Sequence, residues 1–156
     1  FWTYSGGLAG IITASAGNDL YHPIQAMIIG GIGTMIAYKL HYWVERKFKI
    51  DDAVGAVAVH GYAGVVGLII CGFVLWGYPS SAYDGLGYAA INPVGMIIGA
   101  FIMFVVLGFI PGYVIAKILH AAGKLRIPRE VELAGLDYNI MEAASKDEKA
   151  VSSSNR

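Results

Sequence analysis

The stretch DDAVGAVAVHGYAGVVGLII, residues 51–70, places a single histidine, His60, inside a long run of uncharged residues. Two aspartates precede it, and glycines follow it at every third position, at 61, 64 and 67. An imidazole titrates close to neutral pH, and such a group is rare where its neighbours are apolar or glycine. The fold class therefore depends on what kind of segment surrounds this histidine.

The gaps between charged residues identify that segment as membrane-spanning. No Asp, Glu, Lys or Arg lies between Asp52 and Asp84 or between Asp84 and Lys117, and each run exceeds the roughly 20 residues that cross a bilayer core. Strand-like alternation is absent, and a backbone in lipid must satisfy its own hydrogen bonds. We therefore predict an all-α, polytopic transmembrane helix bundle over residues 1–122 and a tail over 123–156. The helices are expected near 1–16, 24–44, 53–77 and 94–119.

Composition and charge exclude several other classes. Charged residues make up 14% of the chain, against about 25% in a typical soluble domain, and the net charge of zero gives no indication of nucleic-acid binding. The single cysteine, Cys71, has no CxxC motif or Cys/His cluster beside it, so we predict a packing role, no metal site and no cofactor. Because the chain begins with Phe1 inside apolar sequence, we expect it to be the C-terminal part of a longer protein.

The basic residues predict the orientation in the lipid bilayer. All 11 Lys and Arg residues lie between 39 and 49 or from Lys117 to the end, and the other two connections contain none. By the positive-inside rule, residues 45–52 and the tail are cytoplasmic, and residues 78–93 lie outside. The prediction is a multi-pass protein of the cell membrane with a cytoplasmic C-terminus.

His60 is the main candidate for a functional role. If its helix begins near Ala53, the ring lies about 10 Å along the axis, and ionisable groups at membrane depth commonly mark transport routes. The alternative is a neutral structural histidine bonded to a carbonyl group. The other histidines are weaker candidates, at an outer loop, a cytoplasmic boundary and the end of the last span: His22, His41 and His120.

The residues near His60 in the sequence lead to two structural predictions. Small residues at this spacing let helices approach closely in lipid, so we predict close packing of the helix that carries His60 at Gly61, Gly64 and Gly67. Asp51 and Asp52 are placed to cap and position the N-terminus of that helix, where its dipole favours a negative charge.

Several segments resemble ammonium transporters of the Amt/MEP class, in the order that this family has them. RKFKIDDAVGAVAVHGYAGVVGLI resembles the stretch that carries the second histidine of the family's twin-histidine pore. LAGIITASAG and PIQAMIIGGIGTMIAY resemble its eighth and ninth helices. GKLRIPREVELAGLDYN resembles the cytoplasmic tail after the eleventh helix. The chain is thereby identified as helices eight to eleven of an ammonium transporter.

The resemblance implies a role for His60 and an assembly. His60 would be the second pore histidine of a hydrophobic route for ammonium or ammonia, with its partner on a fifth helix that this chain lacks. The family forms homotrimers of eleven-helix subunits with one pore each, and is not enzymatic. Two alternatives stay open. One is an ammonium-sensing membrane protein of the same fold, and the other is a membrane redox subunit that uses His60 as a haem or metal ligand.

The tail resembles the family's regulatory segment. Its matching residues are Arg129, Glu130, Glu132, Gly135, Leu136 and Asp137. The acidic and basic side chains are expected to pair with the basic loop at 46–49, and the resemblance implies a PII-type signalling protein as a partner at the cytoplasmic face. The sequence after GLD lacks the family's usual histidine-glycine pair, and residues 145–156 are expected to be disordered. Gly55 stands where many family members have an aspartate.

Overall fold

The computed structural model describes residues 1–80 and 89–135, and these residues form helices joined by short connections. Helix α1 (Trp2–Ala14) runs into a 3-10 turn, Ser15–Gly17, and α2 spans Pro23–Phe48. A first π-helical segment, Val57–Tyr62, continues as α3 (Ala63–Val74). The remaining elements are α4 (Pro93–Phe101), a second π-helical segment (Ile102–Phe109), α5 (Ile110–Ala121) and α6 (Arg129–Ala134). The β contact in the described residues is an isolated bridge, Pro79–Ala90, so the predicted all-α class is confirmed.

Helix-capping residues explain where two of these helices begin. At α2, the Oε1 atom of Gln25 accepts a hydrogen bond from the backbone N–H of His22 at 2.9 Å, and Pro23 occupies the first helical position. At α4, the Oδ1 atom of Asn92 accepts from the N–H of Gly95 at 2.7 Å, ahead of Pro93. Both starts use the arrangement that polar caps and proline favour.

Each of the predicted spans contains a helix, with different bounds. Two continuous helices are long and apolar enough to cross a membrane, Val57–Val74 with mean hydropathy 2.0 and Pro93–Ala121 with 2.5. The continuous helical stretch formed by the first π-helical segment and α3 begins at Val57, whereas the predicted span begins near Ala53. Between these two positions the N–H of Gly55 donates to the Asp52 carbonyl at 2.8 Å, which forms a turn ahead of the helix.

Of the described residues, those up to Ile110 form one compact unit, and those from Pro111 to Gly135 belong to a second. In the first unit, small residues bring three helices together. Thr13 of α1 is fully buried, and a Cβ atom added to Gly33 of α2 or to Gly67 of α3 would overlap it. The Thr34 hydroxyl of α2 also donates to the carbonyl of Gly6 at 2.8 Å. Close approach of backbones through glycine is the usual basis of helix association in lipid.

The first unit also contains a packed cluster of buried side chains. It comprises Tyr21, Ile29, Cys71, Leu75 and Ile91. The Sγ atom of Cys71 lies 3.4 Å from the Ala16 carbonyl, so the cysteine packs in this core as predicted. Burial raises the pKa of Tyr21 well above its ordinary value, because the phenolate would lose its hydration.

Large apolar side chains cover the outer faces of the first unit. Leu8, Ile28 and Phe101 are each more than half exposed. A soluble domain rarely presents so continuous an apolar surface, whereas a bundle in contact with lipid or with further helices does. The surface therefore agrees with the membrane prediction.

The glycines of α3 and its π-helical start give a test of this packing. We expect Gly67→Ala to destabilise the full-length protein by about 1–3 kcal/mol, because the new methyl group meets the backbone of Thr13. Gly61→Ala is the matched control, since its Cβ would lie 3.5 Å from Val57 and in ordinary contact. Thermal unfolding in detergent measures both variants. Equal melting of Gly67→Ala and the parent protein would contradict the proposed contact.

Candidate functional site: the helix that carries His60

His60 lies in the first π-helical segment, three residues after its start at Val57. The N–H of Ala63 donates to the carbonyl of Ala58, five residues earlier, which is the wider hydrogen-bonding pattern of a π-helix. Such segments are rare and frequently occur at functional sites. Ala58 and Val59 are buried, whereas His60 is exposed. The imidazole therefore lies on the side of the segment that the described residues do not cover.

The glycines that follow His60 differ in their surroundings. Gly67 lies against the backbone of Thr13, and a Cβ on Gly64 would lie 3.2 Å from Phe104 and 3.8 Å from Ile12. The Cβ position of Gly61 meets only Val57 of its own helix, at 3.5 Å, among the described residues. Two of the three glycines thus lie at contacts with other elements.

Asp52 caps the helix that carries His60. Its two carboxylate oxygens accept hydrogen bonds from the backbone N–H groups of Val57, at 3.2 Å, and Ala58, at 2.9 Å. These amides have no partner in the preceding turn, so the carboxylate satisfies two donors and places a negative charge at the positive end of the helix. Asp51 is exposed and makes no hydrogen bond or ion pair within residues 1–80 and 89–135.

Gly55 makes the turn between Asp52 and the helix possible. Its φ is +66°, a left-handed conformation that costs other residues about 1–2 kcal/mol. A Cβ at this position would also lie 2.5 Å from the Phe1 ring. Glycine at position 55 therefore has a structural cause in this chain.

The structure also brings together residues that the sequence did not link. His41, considered a weak candidate at a helix boundary, is only 5% exposed. Its Nε2 atom lies 3.4 Å from Glu45 and its Nδ1 atom 3.6 Å from Asp52. The spacing of His41 and Glu45 on one helix is visible in the sequence, but no local signal predicts the return of Asp52 to this ring.

Part of the predicted tail site lies in the described residues. Arg129, Glu130 and Glu132 lie on α6, and Gly135 follows it with a φ of +86°. A surface cavity of about 390 Å³ is lined by Arg126, Ile127, Arg129, Glu132 and Leu133. Leu136, Asp137 and the expected disordered end lie outside the described residues, and pairing with 46–49 stays a prediction.

The described residues do not bring together three His, Cys, Asp or Glu side chains in a group that could hold a metal ion. The haem or metal alternative for His60 thus gains no ligand cluster from residues 1–80 and 89–135.

Comparison with known proteins identifies the family. Residues 1–146 match the profile of the Ammonium Transporter Family. The chain is 38% identical over 140 residues to ammonium transporter Amt2 of Methanocaldococcus jannaschii, with 87% of the chain and 31% of the relative covered. It is 33% identical to Amt1 of the same organism, with 95% and 36% covered, and 33% identical to the ammonium transporter of Bacillus subtilis, with 87% and 34% covered. No solved structure matches.

The chain belongs to the ammonium transporter family, as its sequence motifs predicted. It spans about one third of the length of these curated relatives. Membership and the two long apolar helices make it a membrane protein.

The two aspartates before the helix give a matched test of the cap. We expect Asp52→Ala to lower the free energy of unfolding by about 0.5–2 kcal/mol, because two helix amides lose their acceptor. Asp51→Ala should stay within about 0.5 kcal/mol, since the side chain is exposed. Unfolding of the full-length protein in detergent, followed by circular dichroism, measures both. Similar losses in the two variants would reject a specific role for Asp52.

Proposed function

We propose that this chain contributes part of a pore that conducts ammonium or ammonia across the cell membrane, with His60 lining the route. The observation that carries the proposal is an exposed imidazole on a π-helical segment whose neighbouring residues are apolar. The three relatives described above are ammonium transporters, which supports ammonium or ammonia as the substrate.

The chemistry of the substrate suits such a site. An ammonium ion is costly to transfer into apolar surroundings, whereas neutral ammonia is small and crosses more easily. A histidine ring both donates and accepts hydrogen bonds, so it can hold ammonia or relay the proton that ammonium releases. Sodium and potassium cannot lose their charge in this way, and the apolar route would exclude them. The partner histidine would come from sequence outside this chain.

The orientation and assembly are part of the same proposal. Clustering of all 11 Lys and Arg residues in two regions supports a cytoplasmic 45–52 loop and a cytoplasmic tail. Resemblance to the family supports a homotrimer with one pore in each subunit. The exposed apolar faces of the first unit would then contact lipid or the other helices of the transporter.

Replacement of the candidate pore histidine tests the conduction role. In the complete transporter, we expect His60→Asp to reduce methylammonium uptake at least about tenfold or to admit potassium, because a fixed anion replaces a neutral ring at membrane depth. Uptake by protein of equal surface expression is measured with labelled substrate.

His22→Asp is the matched control for this variant. His22 is exposed and caps α2 through its side chain, and aspartate is a good cap residue, so uptake should be unchanged. Normal uptake together with normal potassium exclusion in His60→Asp would refute a pore role for this histidine.

We further propose that the tail regulates transport. Glu130 and Glu132 would pair with the basic 46–49 loop, whereas Arg129 carries the same charge as that loop and would not. Val131, Leu133 and Leu136 would supply apolar docking, since exposed ion pairs contribute only about 0–1 kcal/mol each. Resemblance to the family supports coupling between subunits of the trimer and a PII-type signalling protein as partner. The sequence EVELAGLD supports coupling between subunits better than binding of a PII-type protein, because the NIMEAAS end that follows departs from the family pattern.

Truncation separates a regulatory tail from a passive one. Deletion from Gly123 onward should lower methylammonium uptake about fivefold or more, which is the usual range of coupling between sites, while insertion and trimer assembly persist. A shorter deletion of residues 140–156 retains the family motif and should leave uptake unchanged. Equal uptake by the long deletion and the parent at equal surface expression would show that the tail is passive.

A further inference from the structure

We propose that His41 is a positioning residue for the pore, and that protonation of its ring strengthens the Asp52 cap on the helix that carries His60. The effect on transport rests on the proposed function of His60. The arrangement itself rests on a buried cluster that joins α1, α2 and the turn before the first π-helical segment.

The His41 ring lies between two carboxylates. Its Nε2 atom is 3.4 Å from Oε1 of Glu45, one turn along α2, and its Nδ1 atom is 3.6 Å from Oδ2 of Asp52. The Nδ1 atom is fully buried and has no hydrogen-bond partner within bonding distance. A buried polar atom without a partner is costly, so Nδ1 would gain from closer approach to Asp52.

Aromatic rings enclose this histidine. Phe1 stacks on it at a centroid distance of 5.7 Å, and Trp2 and Tyr42 contact it edge-on at 5.5 and 5.0 Å. The titratable side chains that face the ring are Glu45 and Tyr42 on α2 and Asp52 in the turn. Phe1, which precedes α1, and Trp2, the first residue of α1, contribute aromatic rings. The enclosure limits access of water to the ring, which makes the carboxylates its main polar neighbours.

A single carboxylate oxygen connects this ring to the helix start. Oδ2 of Asp52 faces Nδ1 of His41 and also accepts the hydrogen bond from the N–H of Ala58 at 2.9 Å. Ala58 lies two residues before His60 in the same π-helical segment. The position of the Asp52 carboxylate therefore affects both the buried histidine and the backbone that holds the candidate pore histidine.

Protonation changes the number of carboxylates to which the ring can donate a hydrogen bond. A neutral imidazole has one N–H and can donate to Glu45 or to Asp52, whereas an imidazolium has two and can donate to both. Charge-assisted hydrogen bonds are shorter than the present 3.6 Å separation. Protonation thus draws the Asp52 carboxylate toward the ring and fixes it as a cap, and deprotonation releases one of the two contacts.

Hydrogen exchange tests the arrangement directly. In the full-length protein in lipid nanodiscs, the amides of residues 57 and 58 should be about two- to tenfold more protected at pH 5.5 than at pH 8, after correction for chemical exchange rates. His41→Gln should remove this difference, and His120→Gln, which removes an exposed histidine on α5, should retain it. If His41→Gln fails to fold, Asp52→Asn is measured in its place. This variant keeps an acceptor without the charge and should also remove the pH difference in protection.

Transport provides the functional readout. In proteoliposomes with outer pH and substrate fixed, uptake should fall as the pH on the His41 side rises from 5.5 to 8, and His41→Gln should flatten this dependence. A variant that had simply lost its pore would show no uptake at any pH. The His41→Gln variant should instead keep uptake that no longer depends on pH.

The two readouts separate the two proposals. The same exchange profile in His41→Gln and the parent protein would overturn the positioning role. Absence of uptake by the parent protein would instead overturn the transport function, and the exchange experiment would then decide the role of His41 alone.

Discussion

The close contact of Thr13 with two glycines is the constraint on which the first unit depends. Thr13 of α1 is fully buried, and no side chain beyond hydrogen fits at Gly33 of α2 or Gly67 of α3. Lipid tails are as apolar as the helices, so association depends on such close backbone packing rather than on removal of apolar surface from water. Because Thr13 contacts both α2 and α3, this one residue fixes the positions of the two helices relative to each other. That placement brings the end of α2 close to the start of the helix with His60.

A polar cluster at that end supplies hydrogen-bond acceptors that apolar side chains cannot provide. Helix starts leave N–H groups without partners, and in apolar surroundings these groups are costly. Asp52 satisfies two of them and also faces His41. The chain thereby places three ionisable side chains, His41, Glu45 and Asp52, in a small region next to an apolar helix. Ionisable groups in such places require partners, and here each lies within 4 Å of another.

The membrane class, the helices and the family could be predicted from sequence because each depends on local information. Uncharged runs longer than a bilayer core indicate spans, and caps such as Asn92 ahead of Pro93 mark helix starts. The helical stretch with His60 begins at Val57 rather than near Ala53, and the turn at Gly55 ahead of it lies in a run that is uniformly uncharged. Hydropathy alone cannot distinguish a turn from a helix in such a run.

The sequence by itself determined the periodicity of small residues, the isolation of His60 and the family motifs, since these depend on residue type and spacing. Only the tertiary structure decided which glycines meet another helix, and it separated Gly67, against Thr13, from Gly61. It alone also paired His41 with Asp52, eleven positions apart. The physical reason is that such a contact depends on how a turn reverses the chain and how neighbouring helices pack. Neither property is encoded in the residues of one helix.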